Sequence, residues 1–310
     1  MTDSRATPAP AEDNKSYVWV PWALGEGGIR AFNTTLVKAV GLRSGTFGLV
    51  LLSTGIIGMV QVTLGLSVAK KQGISLFPET RLILWSIAFG VLATICTALA
   101  FTIYSMDGDI AVHTVIIATA IVPGALIDWG LFRNRLSALE WLGVGLAVLA
   151  PYCMLNFPSL ADIADLPLWV WLSVINMLLV AMNQGVTQAA KDVHPMVKNV
   201  WGGGATVLLT IPLVLLMGSW VDIQSSTFWI LNITLGLGVV GLWTANVMSY
   251  KSGAKIAFKK LVVTGVYMTL AALTGILFFQ EAATFGKLVG VLLFLLASYC
   301  MQQGEKKRTQ

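Results

Sequence analysis

The chain has 310 residues, of which 56% are hydrophobic and 11% charged, with a formal net charge of +5 and a mean hydropathy of +0.78. Soluble domains carry about 25% charged residues, so this composition excludes a water-soluble globular protein and leaves lipid as the solvent for its surface. The positive balance would suit a nucleic acid or another anionic partner, but its placement along the chain assigns it to membrane topology instead.

In chain order, residues 1–16 are polar, Pro-bearing and mixed in charge. They read as a disordered tail, without the basic start and apolar core of a secretory signal. Residues 17–45 carry Glu26, Arg30 and Lys38 in one window, a poor transmembrane text. Ile29, Phe32, Leu36 and Val40 recur there at helical spacing, which predicts an amphipathic helix lying in the membrane interface. Nine apolar runs follow at 46–69, 81–104, 112–132, 138–156, 167–189, 199–219, 227–250, 258–280 and 285–303. Each is about the length that spans a hydrocarbon core of roughly 30 Å as a helix. Residues 157–166 connect two halves, 46–156 and 167–303, and 304–310 form a basic tail. Cys96, Cys153 and Cys300 all lie within apolar runs and suit packing, with neither disulfide nor metal spacing.

The loops are asymmetric. One side collects Lys70, Lys71, Arg81, Arg133, Arg135, Lys191, Lys198, Lys251, Lys255 and the C-terminal Lys306, Lys307 and Arg308. The other holds Asp107, Asp109, Asp162, Asp165 and Asp222, with Lys287 as its basic residue. Lys and Arg are retained inside, which predicts a cytoplasmic C-terminus in the cell (inner) membrane.

The two halves repeat. "AVLAPYCM" at 147–154 returns as "FLLASYCM" at 294–301. An offset of 146 pairs Gly90 with Gly236 and Tyr104 with Tyr250, and an offset of 147 pairs Gly143 with Gly290 and Tyr152-Cys153-Met154 with Tyr299-Cys300-Met301. An odd-numbered helical unit inverts its second copy. The expected fold is therefore all-α and polytopic, two inverted repeats of five helices, with the first helix of repeat 1 missing or interfacial: nine spans, ten at most.

A Pro in the fourth helix (Pro123), a polar turn "RNRLS" and a Gly-bearing fifth helix (Gly143), matched in the second half by Glu281 and Gly290, resemble the drug/metabolite transporter superfamily in its EamA-like branch. Asn134 stands near the Glu expected in the first copy, and no Pro matches Pro123 in the second. The resemblance implies a secondary transporter, which is not an enzyme and needs no cofactor, with a cavity lined by helices 167–189 and 227–250.

On the first of these helices Asn176, Asn183 and Thr187 share a face, with Gln184 beside them; on the second Trp243, Asn246 and Tyr250 do so. They are the candidate substrate-binding residues, with interhelical hydrogen bonding as the plainer role. Asp128, five residues after Pro123 and inside a span, is the candidate proton or cation site, or else a partner of Arg133 or Arg135. His113, beside Asp107 and Asp109, suits a capping or interfacial role. Lys259 and Lys260 suit positive-inside anchoring, although lysines there bind anions in the sugar-phosphate branch. No metal-ligand cluster or catalytic set is evident.

Two readings stand. One is a transporter of a small polar or amphipathic metabolite, coupled to a proton, an ion or an exchanged solute. The other is a non-transporting accessory subunit of a membrane complex. The expected partners are a small-molecule substrate and the lipid bilayer, with assembly into a membrane-protein complex or homo-oligomer open.

Overall fold

The computed structural model describes residues 18–43, 45–120, 122–123, 136–159, 162–163, 165–189, 193–217, 225–252 and 256–309. Among these lie ten helices: α1 (Val20–Gly41), α2 (Phe47–Gln72), α3 (Thr80–Ser105), α4 (Ile110–Ala118), α5 (Ala138–Met154), α6 (Leu168–Ala189), α7 (Pro195–Met217), α8 (Ser226–Lys251), α9 (Ile256–Phe279) and α10 (Phe285–Thr309). No strand occurs among the described residues. Helices α2, α3 and α7, with Ser226–Asn246, Val262–Phe279 and Phe285–Gly304, are long and apolar enough to cross a bilayer; Ala138–Met154 and Leu168–Asn183 are shorter apolar helices. The chain is an all-helical membrane protein.

Local chemistry sets the ends. Thr46 caps α2 by accepting from Leu49 N, and Gly73, at φ 65, closes its other end where a side chain would be strained. Asp109 caps α4 through Val112 N. Ser137 and Glu140 satisfy each other's backbone in a capping box at the start of α5.

The repeated motif explains one packing seam. Helices α5 and α10 pack along their lengths. A Cβ on Gly143 would strike Met301 and lie 2.8 Å from the Ala297 carbonyl, while one on Gly290 would strike Met154 and lie 2.7 Å from the Ala150 carbonyl. Each Tyr-Cys-Met thus supplies the methionine that fills the glycine notch of the other copy, and the two helices run antiparallel. A second seam joins α2 and α7. There a Cβ on Gly58 would lie 3.0 Å from Gly203 O, and one on Gly203 2.9 Å from Gly58 O. Such small-residue contacts let helix backbones approach in lipid, where no hydrophobic force drives helices together.

Helix α1 differs from an amphipathic surface helix. The expected apolar stripe is only half kept: Leu36 and Val40 are buried and Phe32 is 49% exposed, whereas Glu26 and Lys38 are 2% and 5% exposed. It runs parallel to α9 over nearly its whole length. Gly27 faces Val263 and Val266, Thr34 Oγ1 is 3.1 Å from Tyr267 Oη, Thr35 Oγ1 donates to Thr274 at 3.0 Å, and Lys38 meets Glu281 at 2.6 Å. It runs antiparallel to α8, where Asn246 donates to Glu26 and Gly238 accommodates Asn33. The physical reason is pairing. Every charge that argued against burial has a partner: Glu26 with Arg30, and Lys38 with Glu281.

Candidate functional site

Where α1 meets α2, α3, α8 and α9 there is a half-open cavity of 190 Å³. Its polar lining is Arg30, Asn33 and Thr34 from α1, Thr97 from α3 and Tyr267 from α9. Its apolar walls are Val37, Ile57, Leu235, Val239 and Leu242. A few convergent polar groups on a mostly apolar wall are what a small-molecule site needs. A larger groove of 530 Å³ beside Trp22, Ile29 and Thr244 has Thr244 as its one side-chain hydroxyl, so the smaller cavity holds more of the chemistry.

The polar groups are held differently. Arg30 Nε and Nη2 donate to Glu26 Oε1 at 3.2 and 2.8 Å, one helical turn away, and Asn246 Nδ2 donates to the same oxygen at 2.9 Å. Tyr267 Oη is tied to Thr34 at 3.1 Å and accepts from Thr114 at 3.3 Å. Asn33 is 7% exposed, yet neither atom of its amide has a hydrogen-bond partner. A buried amide without partners is costly; this one packs against Gly238 of α8 at the margin of the cavity.

A charge cluster gathers at the C-terminal end of α1, next to the cavity residue Val37. Lys38 Nζ reaches Glu281 Oε1 at 2.6 Å and the Gly108 carbonyl at 3.0 Å. Ile110 N donates to Glu281 at 2.7 Å, and Lys287 pairs with Asp109 and lies 3.8 Å from Glu281 Oε2. Four charged side chains thereby join α1, the α3–α4 turn and the α9–α10 turn. Burial, and after it the Asp109 carboxylate, raise the Glu281 pKa, against the Ile110 N–H and Lys38, which lower it.

In the first turn of α7 Lys198 is 6% exposed. Its ammonium stands 5.2 Å from the Phe89 ring centre and 5.3 Å from that of Trp243, and those rings meet edge to face at 4.3 Å.

The sequence-derived residues divide. Asn176 is buried at 3% exposure on α6, Asn183 is half-buried on the same helix, Trp243 packs on Phe89 and Asn246 holds Glu26. These four stand outside the cavity lining. Helix α6 packs on α3 and α4, whereas α8 packs on α1 and α2, so the two polar stripes meet different neighbours. Asp128 and the side chains of Gln184, Tyr250, Lys259 and Lys260 lie outside the described residues. Asp109, rather than His113, caps α4; His113 is buried, with Nδ1 2.9 Å from Ser173 Oγ. Arg30, Asn33, Lys38 and Tyr267 are the residues sequence reasoning missed. The readable signal was the Glu26–Arg30 spacing of four, which pairs charges on one helix face.

No family model and no curated protein matches this chain. Eighteen chains of known structure do. One of them, described only as a crystal structure of a protein, aligns over 92% of this chain and 98% of its own, with 15% identity and a TM-score of 0.58. At that identity the likeness concerns the fold alone, over nearly the full length of both chains.

Proposed function

We propose that this chain is a secondary transporter of a small polar or amphipathic metabolite, built like the EamA-like drug/metabolite transporters from two inverted five-helix repeats that alternate access to a central cavity. The observation that carries the reading is the cavity itself, a half-open 190 Å³ space between apolar helices lined by Arg30 and by Asn33, whose buried amide has no partner. Polar groups kept at such depth mark solute pathways.

The packing supports the repeats. When α1–α5 are exchanged for α6–α10, the seams α5·α10 and α2·α7 map onto themselves. The contact α1·α8 maps onto α6·α3, α1·α9 onto α6·α4, and α3·α7 onto α8·α2; all of these contacts are present. The reciprocal glycine notches in α5 and α10 point the same way.

In this reading α1 is the tenth span. Its 22 residues reach about 33 Å as a helix, alongside the apolar span Val262–Phe279. Both termini then lie in the cytoplasm, and the basic loops remain inside. A Ser4→Cys variant, with Cys96, Cys153 and Cys300 replaced by serine, tests this. With an impermeant thiol reagent on intact cells, protection until lysis is expected, and labelling from outside would return α1 to the interface. The accessory-subunit reading drew on a cavity missing one wall; α1 fills that wall, which favours transport.

The reading is tested at Asn33. A thermal-shift screen against metabolites should find solutes that stabilise the native chain. Asn33→Leu should abolish that shift and leave the unliganded melting temperature equal or higher, since replacing a partnerless buried amide by an apolar group of the same shape sacrifices no hydrogen bond. A solute that stabilises wild type and Asn33→Leu alike would move the site elsewhere.

A further inference from the structure

Resting on the transport reading, we infer that the solute is a small organic carboxylate with a compact apolar body, received by Lys198 on the cytoplasmic side and by Arg30 and Asn33 in the cavity.

Positive-inside anchoring does not account for Lys198. An anchoring lysine extends its ammonium into the headgroups, whereas this one is turned inward and is 6% exposed. The Phe89 and Trp243 rings flank it, and no carboxylate pairs with it among the described residues. Ring faces attract a cation but do not neutralise it, so a buried ammonium held this way is completed by an arriving anion.

Two of the three cage residues stand on helices that also line the cavity, α3 and α8. Trp243 directly follows the cavity residue Leu242, and Phe89 precedes the cavity residue Thr97 by eight positions, two turns along one face of α3.

Within the cavity Arg30 is paired but keeps one donor over. Glu26 holds Nε and Nη2 of Arg30, and Nη1 has no acceptor among the described residues. Asn33, three residues on, has a buried amide without a partner, which a small side-chain rotation from Gly238 would bring to the space, and no carboxylate lines it. A guanidinium N–H beside an amide N–H suits a carboxylate, which only accepts. Size limits the rest. An apolar cavity of about 150 Å³ takes benzene, so 190 Å³ suits one ring or a short branched chain with its carboxylate.

The test uses the purified full chain in detergent at neutral pH, at ionic strength fixed with sodium chloride. Three probes share one ring: benzoate, neutral benzamide and cationic benzylamine. Benzoate is expected to raise the melting temperature, and the other two to leave it unchanged. Lys198→Met keeps an apolar stem between the rings, and should fold while needing about tenfold more benzoate for the same shift; Lys198→Arg should restore part of the response. Equal shifts from benzoate and benzamide, no shift from benzoate, or the same benzoate response in Lys198→Met would overturn the inference. Proteoliposome flux separates the two claims. A neutral solute carried at a rate indifferent to benzoate and to Lys198→Met would leave transport standing and remove the carboxylate. Lys198-dependent benzoate binding without flux of any solute would do the reverse.

Discussion

Lys38→Met is expected to destabilise the chain by about 3–5 kcal/mol, because it leaves a buried carboxylate without its counter-charge. The Lys38 and Glu281 side chains are 6% and 7% exposed, so water cannot replace the lost ammonium. Lys287, at 3.8 Å from the other Glu281 oxygen, already serves Asp109. The loss should depend on pH with a definite sign. Burial and Asp109 raise the Glu281 pKa, so the carboxyl takes up a proton more readily in the folded chain than in the unfolded one. A group of this kind contributes its full stability below the unfolded pKa and loses it as pH rises through the folded value. Removing Lys38 moves the folded value further up. The Lys38→Met penalty, read as a melting-temperature difference in detergent, should therefore grow from about pH 5 to about pH 8. The double variant Lys38→Met with Glu281→Gln should recover much of the loss at the higher pH. A single variant as stable as wild type at pH 8 would mean that the Lys38–Glu281 pair holds nothing together.

Gly143→Leu and Gly290→Leu should each cost about 1–3 kcal/mol or more and, above all, should cost alike. Each added side chain meets a methionine and a carbonyl oxygen of the facing helix, Met301 with Ala297 O in one case and Met154 with Ala150 O in the other. The carbonyl cannot move without the helix, so α5 and α10 must separate and lose contacts that lipid does not replace. Gly145, two residues from Gly143, has nothing within 4 Å of a built Cβ, and Gly145→Leu should be silent. Trimming the facing methionine, as in Gly143→Leu with Met301→Ala, should restore part of the stability by returning volume to the notch. Melting temperatures of the set measure all of this. A large loss at one glycine with none at the other would break the equivalence of the halves.

How far the sequence could be read follows from which forces are local. The long apolar helices were legible because hydropathy is a property of a window of residues, and α2, expected over 46–69, runs Phe47–Gln72. The α5–α10 seam was legible as text, since a glycine and a Tyr-Cys-Met recur at a fixed offset, although only the structure has each methionine filling the other copy's notch. What α1 buries was not legible, because a window counts charges as penalties and cannot see partners. Lys38 finds Glu281 across 243 residues of chain. The same blindness left the cavity unread. Periodic Asn and Trp identified faces of α6 and α8, but a face is not a cavity: Asn246 serves Glu26, and the space itself borrows Arg30, Asn33 and Thr34 from the helix that had been set aside.

The account turns on whether this chain moves a solute through that cavity, and flux across a bilayer measures it most directly. Proteoliposomes holding the purified chain should take up a solute that raises its melting temperature. Uptake should saturate, accelerate when the same solute is loaded inside, and fall to the level of protein-free liposomes with Asn33→Leu. Uptake by the wild-type chain no faster than protein-free liposomes, for every solute that stabilises it, would contradict the account and leave a transporter-like fold with another task.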